Sequence, residues 1–251
     1  MNVCSSHQIT TMGTLVQDHP VLVGIAGLGE LIWLLAYLLI IRKAYQNKTF
    51  GMPAIAVFAS LALEAIFGLV CPWTHPELCP HNSGLALWSW WVFIAMSIVL
   101  LLQYLGHGET SEQVIPALRR HRNSYVVVGL LFFLFAEYFF IEFYKDYNAN
   151  TLNFLVNLTM SILFVPLLLS RPTLAGMSWW GGWAKMIGAA SISLSVVLTI
   201  QYPEYRQEFY PGAHESFAYV YFLFVATLFF DVLYIFLFYR RRGELAQPGK
   251  G

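Results

Sequence analysis

The sequence predicts an all-α polytopic membrane protein: a seven-transmembrane-helix bundle with the N-terminus outside and the C-terminus in the cytoplasm. Three observations predict it: the composition, the row of apolar stretches and the placing of the basic residues. Of 251 residues, 58% are hydrophobic and 11% are charged, and the mean hydropathy is +0.60. A soluble domain carries about 25% charged residues, so this chain cannot clothe a globular surface in polar groups. A formal net charge of zero, with no basic stripe to track phosphates, argues against nucleic-acid binding. Three cysteines (Cys4, Cys71 and Cys79) are too few for a disulfide scaffold.

A spanning helix needs roughly 20 mostly apolar residues, and seven stretches qualify. Met1 to Pro20 lacks the basic start and apolar core of a cleavable signal, so the first stretch, 20–42, is expected to stay as a span. The second, 52–72, contains Glu64. The third, 85–105, the fourth, 124–144, and the seventh, 216–239, carry the plainest apolar pattern. The fifth, 150–170, carries a row of asparagines, and Gly181, Gly182 and Lys185 crowd the start of the sixth, 181–202. Residues 1–251 thus read as a single transmembrane domain without a strong internal repeat.

The basic residues give the orientation, because lysine and arginine collect in cytoplasmic loops. The first such loop holds Arg42, Lys43 and Lys48, and the second holds Arg119, Arg120 and Arg122. The third holds Arg171, with Lys185 at its edge, and the C-terminal tail holds Arg240, Arg241, Arg242 and Lys250. Only Lys145 and Arg206 fall on the other side.

Carboxylates in hydrocarbon are costly, so each one demands a reason. Glu30, Glu64, Glu137 and Asp231 lie within spans, and Glu142 lies nearer the outer interface. With Lys185, near the end of the sixth span, as the one basic group inside the membrane region, salt bridges are not expected to satisfy these acids. Burial favours the neutral, protonated form, which acts either as a hydrogen-bond donor to a neighbouring helix or as a general acid.

Helical spacing groups these acids with aromatic and polar residues. Asp231 shares a stripe with Phe217, Phe224, Thr227, Tyr234 and Phe238. Glu64 shares its face with Ser60, Phe67 and Gly68, and Glu30 sits among Ala26, Gly27, Trp33 and Tyr37. The fifth span presents Asn150, Asn153, Asn157 and Ser161 on one side. Either these stripes converge on an interior pocket, or they mark helix–helix packing through small and polar residues.

An aromatic-lined pocket with protonated acids suits a lipophilic substrate and acid chemistry. Aromatic faces stabilise a desolvated cation, and a dry site keeps water from quenching it. The sequence lacks a DDxxD-like cluster to hold magnesium on a diphosphate, a lysine in the seventh span for a retinal Schiff base, and an HExxH motif. No metal or other cofactor is expected. The segment from Cys71 to His81, with His75 and Cys79, has metal-ligand residue types at no familiar zinc spacing. A metal site, a Cys71–Cys79 disulfide and a plain turn-rich loop all remain open for it.

These residues carry a resemblance. The run from Tyr45 to Phe50-Gly51-Met52-Pro53, followed by Glu64, resembles the integral-membrane terpene cyclases of fungal meroterpenoid and indole-diterpene biosynthesis (the paxilline and pyripyropene types), which have bacterial relatives. The likeness continues at Tyr202-Pro203-Glu204 and at Asp231-Val-Leu-Tyr234, ahead of the Arg240 cluster, and so covers nearly the whole chain. In that family a glutamate of the second span and an aspartate of the last are the catalytic acids, and they match Glu64 and Asp231.

The resemblance implies proton-initiated cyclisation of a prenyl chain, commonly farnesyl or geranylgeranyl on an aromatic or indole unit. Protonation of a terminal epoxide or alkene would start the cascade, with the two acids sharing that role. Counted from the cytoplasmic span ends, Glu64 and Asp231 differ in depth by roughly 6 Å at 1.5 Å per residue. Tyr234 is a candidate to orient Asp231. Trp33, Phe67, Phe224 and Phe238 are candidate walls, and Glu30, Ser60, Asn153 and Asn157 candidate substrate contacts. Where the family often has Asn and Trp, this chain has Ser60 and Leu63, and Glu30 stands where an aromatic is common; these differences bear on the substrate.

The expected partners are a lipophilic prenylated small molecule and membrane lipid, without nucleic acid or an obligate protein partner. The expected location is the bacterial plasma membrane or the endoplasmic reticulum. A proton-coupled carrier and a heptahelical receptor for a lipophilic ligand are the alternatives, because intramembrane acids also relay protons.

Overall fold

The computed structural model describes residues 19–74, 84–107, 120–146, 149–202 and 217–246. Among them, seven helices are long and apolar enough to cross a membrane, and no strand occurs. They are α1 (Pro20–Gln46), α2 (Ala54–Thr74), α3 (Gly84–His107), α4 (Arg122–Tyr144), α5 (Asn150–Ser170), α6 (Trp179–Thr199) and α7 (Ala218–Leu245). Each coincides with one predicted span, and the largest extension is at the end of α7, which carries Arg240, Arg241 and Arg242 as helix.

The crowded start of the sixth span is a well-formed helix end. Ser178 caps α6, its hydroxyl accepting from the Gly181 amide at 3.0 Å. The glycines there serve packing, since a Cβ at Gly182 would lie 2.6 Å from the ring of Tyr234. Their cost in helix propensity is thus offset by contact with α7 at Gly182 and with Ile40 of α1 at Gly181.

α2 is the most enclosed of the seven helices and packs on α3, α4 and α5. α1 lies along α6, while α7 lies along α5 and α6. The apolar core threads through these contacts, with Tyr37, Phe93, Phe164, Tyr234 and Phe238 in its main cluster.

α2 does not run straight through. Ile66–Val70 forms a π-helical segment, closed by the Cys71 amide donating to the Ile66 carbonyl. Pro72 explains it: proline has no N–H for the Gly68 carbonyl, and its ring crowds that carbonyl. The wider turn falls directly after Glu64 and carries Phe67. Cys71 itself is disulfide-bonded; Cys79, with His75 and His81, lies outside the described residues.

The end of the bundle that gathers Arg42, Lys43, Lys48, Arg171 and Arg240–Arg242 is tied together by arginines. Buried Arg171 donates to the carbonyls of Phe50 and Ala175, and its guanidinium lies 5.1 Å from the Phe50 ring centroid. Arg241 in turn donates to the carbonyls of Arg171 and, at 3.0 Å, Leu169. The Phe50-Gly51-Met52 run is therefore the joint by which the α1–α2 turn locks onto the α5–α6 turn. Gly51 allows the close approach, because a Cβ there would lie 2.7 Å from Ile40.

Candidate active site

Two polar clusters lie inside the bundle, and α1 bridges them. The first surrounds Glu64, which is 4% exposed. Tyr37 of α1 donates its hydroxyl to Glu64 Oε1 at 3.5 Å, and Oε2 has no hydrogen-bond partner. Ser97 of α3 neighbours the same carboxyl, and Ser60, one turn before Glu64, neighbours Tyr37. Neither serine hydroxyl makes a hydrogen bond. Glu137 of α4 is buried close enough to Glu64 to interact electrostatically, and neither of its carboxyl oxygens has a partner. Phe67 closes this side by stacking on Trp90, with ring centroids 5.4 Å apart.

The second cluster surrounds Asp231. Lys185 of α6 donates to Asp231 Oδ1 at 2.7 Å, and both residues are 4% exposed. It also donates to Ser161 Oγ at 2.5 Å and Asn157 Oδ1 at 3.3 Å. The expectation that no interior acid is salt-bridged is corrected here. Lys185 does not stay at the edge of its span but turns inward, two turns into α6, where α5 and α7 both offer acceptors.

Trp33 connects the clusters. Lys185 Nζ lies 5.4 Å from its ring centroid, and the indole neighbours the Tyr37 hydroxyl. Trp33 thus lies between the Lys185–Asp231 pair and the Tyr37–Glu64 pair. From the basic ends of their helices, Glu64 lies about 15 Å along α2 and Lys185 about 9 Å along α6, an axial offset of about 6 Å.

The α7 stripe is buried as its spacing predicts, with Phe217, Thr227, Asp231, Tyr234 and Phe238 all enclosed and Phe224 half-buried. Tyr234 packs edge-on against Phe164 at 5.5 Å, and Phe238 packs against Trp179 at 5.4 Å between centroids. Phe224, Thr227 and Asp231 lie with Met186 and Ser193 around a narrow cleft between α6 and α7 that has no room for a water molecule.

Two residues grouped with the interior in sequence lie elsewhere. Glu30 is exposed, whereas its neighbour Gly29 is buried against Gly188 and Ile192 of α6. One residue is about 100° of helix rotation, which carries Glu30 off that contact. Asn153 is also exposed, a turn nearer the start of α5 than Asn157. Among the described residues, no three His, Cys, Asp or Glu side chains gather as a metal site would require.

The fold and site define a class: a seven-helix integral membrane protein with carboxyl groups enclosed by aromatic side chains at mid-depth. The family model for Pyr4-like transmembrane terpene cyclases matches residues 17–243, and the chain belongs to that family. It is 27% identical to a Pyr4-family terpene cyclase of Annulohypoxylon moriforme, over 83% of this chain and 81% of that protein. It is 26% identical to a terpene cyclase of Emericella variicolor over 87% of this chain and 88% of that one. A terpene cyclase of Penicillium terrestre is 21% identical over 71% and 67%, respectively. No solved structure matches significantly.

Proposed function

We propose that this membrane terpene cyclase performs proton-initiated cyclisation of a prenyl chain, of farnesyl or geranylgeranyl length, carried on a meroterpenoid-type head group. Glu64 and Asp231 are its catalytic carboxyl groups. The observation that carries the reading is Glu64: an enclosed carboxyl with one oxygen held by Tyr37 and the other without a partner. A neutral acid so placed can give its proton to a terminal epoxide oxygen or a terminal alkene carbon. Epoxide opening or alkene protonation leaves a tertiary carbocation, and successive double bonds of the chain attack it in turn. The rings of Trp33, Tyr37, Phe67, Phe224, Tyr234 and Phe238 offer π faces to that charge and exclude water from it.

Family membership favours turnover over the carrier and receptor readings. Substrate reaches the site laterally from the membrane, by separation of helices, since a prenyl chain partitions into lipid at about 0.8 kcal/mol per methylene. The test is mass-spectrometric turnover on farnesyl and geranylgeranyl compounds, with and without a terminal epoxide. Reaction in D2O distinguishes the two starts: alkene protonation leaves a non-exchangeable deuterium in the product, and epoxide protonation leaves only an exchangeable one. If no isomerised product forms across the panel, the reading fails.

A further inference from the structure

Lys185 has no part in the chemistry described so far, yet its surroundings are fully specified. Its nitrogen faces three acceptors: Asp231 Oδ1 at 2.7 Å, Ser161 Oγ at 2.5 Å and Asn157 Oδ1 at 3.3 Å. Ser161 uses its own hydroxyl proton on the Asn157 carbonyl at 3.0 Å, so toward Lys185 it can only accept. Three acceptors call for three N–H donors, which an ammonium has and a neutral amine lacks. A buried ammonium needs a counter-charge, and Asp231 is the acid in contact with it. Trp33 presents its face to the same ammonium. The titratable neighbour on α7 is Tyr234, which interacts electrostatically with both Asp231 and Arg171. The groups that α5 and α1 contribute, Asn157, Ser161 and Trp33, do not titrate in the working range.

Asp231 Oδ2 is unengaged. It has no hydrogen-bond partner, and neither do the hydroxyls of Ser193 and Thr227, which line the same cleft. One oxygen of this carboxyl is thus fixed by Lys185, and the other is left without a partner where α6 and α7 meet.

We propose that Lys185 is a positioning residue that holds Asp231 as a carboxylate, and that Glu64 and Asp231 divide the reaction between them. Glu64 gives the proton that opens the cascade, and Asp231 takes the proton that closes it. This rests on the cyclase reading. In the closing step, the C–H bond beside the last cationic carbon breaks and its electron pair becomes the new C=C bond. The proton passes to Asp231 Oδ2. When an internal hydroxyl captures the cation instead, its O–H proton takes the same route. Between turnovers Asp231 releases its proton to solvent and Glu64 takes one up, so the overall reaction is an isomerisation needing no oxidant or reductant.

The charge state is tested by infrared spectroscopy on the full chain in lipid nanodiscs, as the difference between wild type and Asp231→Asn. The expected difference is loss of an ionised-carboxylate band, with no change among protonated carboxyl bands. In a Lys185→Met background, the same substitution should instead remove a protonated-carboxyl band. Lys185→Arg keeps the positive charge and should keep the ionised band, which preserves the test if Lys185→Met fails to fold. Loss of a protonated-carboxyl band on Asp231→Asn in otherwise wild-type protein overturns the proposal. These readings need no turnover, so their failure is distinct from failure of the cyclase reading.

On the activity side, Lys185→Met should lower kcat about 100-fold, the scale of a lost general base. It should also shift product toward prematurely water-quenched species, and Lys185→Arg should recover most of the wild-type product. A Lys185→Met enzyme with wild-type kcat and product also overturns the proposal.

Discussion

Alanine at Gly188 tests the joint between α1 and α6. The two helices meet through glycines: Gly188 faces the backbone of Gly29 and Trp33, and Gly29 faces the Gly188 carbonyl and Ile192. A Cβ at Gly188 would lie 2.9 Å from the Trp33 nitrogen and 3.0 Å from the Gly29 carbonyl oxygen, where ordinary contact begins at 3.4 Å. Both obstacles are backbone atoms, so the helices themselves must part by about half an ångström. Overpacking of this kind costs about 1–3 kcal/mol, against a gain of up to about 1 kcal/mol from replacing a helical glycine with alanine. The net loss is therefore about 1–2 kcal/mol. Trp33 would be carried away from Lys185, so cyclisation should slow as well. The assay is thermal unfolding in detergent with Gly24→Ala of α1 as control, since nothing lies within 4 Å of a Cβ at that position. Gly188→Ala should unfold several degrees below wild type, at roughly 2–4 °C per kcal/mol, and Gly24→Ala at or above it. Equal melting of the two variants would refute the close α1–α6 contact and the placement of Trp33 that follows from it.

Tyr37→Phe removes the donor to Glu64 and should lower kcat by up to about tenfold, the worth of one neutral hydrogen bond, with little change in melting temperature. Thr227→Val replaces a hydroxyl that has no partner with a methyl of the same shape, so the variant should melt no lower than wild type. Arg171→Met leaves the Phe50 and Ala175 carbonyls without their donor and should cost about 3 kcal/mol of stability, read by the same unfolding assay. Reporter fusions should place the C-terminus in the cytoplasm and the N-terminus outside, and the reverse result would invert every loop assignment.

The seven helices were legible because hydrocarbon imposes one simple requirement, an apolar stretch long enough to cross. The burial of the α7 stripe was legible because its spacing of three, four and seven residues survives folding unchanged. Three features depended on neighbours. Asp231 and Lys185 lie 46 residues apart, and their pairing depends on how α6 and α7 are rotated against each other, which neither helix encodes alone. The outward position of Glu30 follows from which residue of α1 meets Gly188, again a matter of two helices. The π-helical segment after Glu64 did have a local signal in Pro72, since proline within a span forces the preceding turn to rearrange. Serine at position 60 and leucine at 63 take on meaning only beside Tyr37 and Phe67, as part of the wall around Glu64.

The central claim is that a carboxylic acid at position 64 starts the cyclisation. The measurement that tests it most directly is single-turnover mass spectrometry on wild type, Glu64→Gln and Asp231→Asn, each first shown to melt within a few degrees of wild type. Wild type should convert an accepted prenyl substrate to a product of unchanged mass and new retention, and Glu64→Gln, which keeps the shape but carries no acidic proton, should form none. Asp231→Asn should also fail to deliver the normal product. Cyclisation by Glu64→Gln at the wild-type rate would contradict the account.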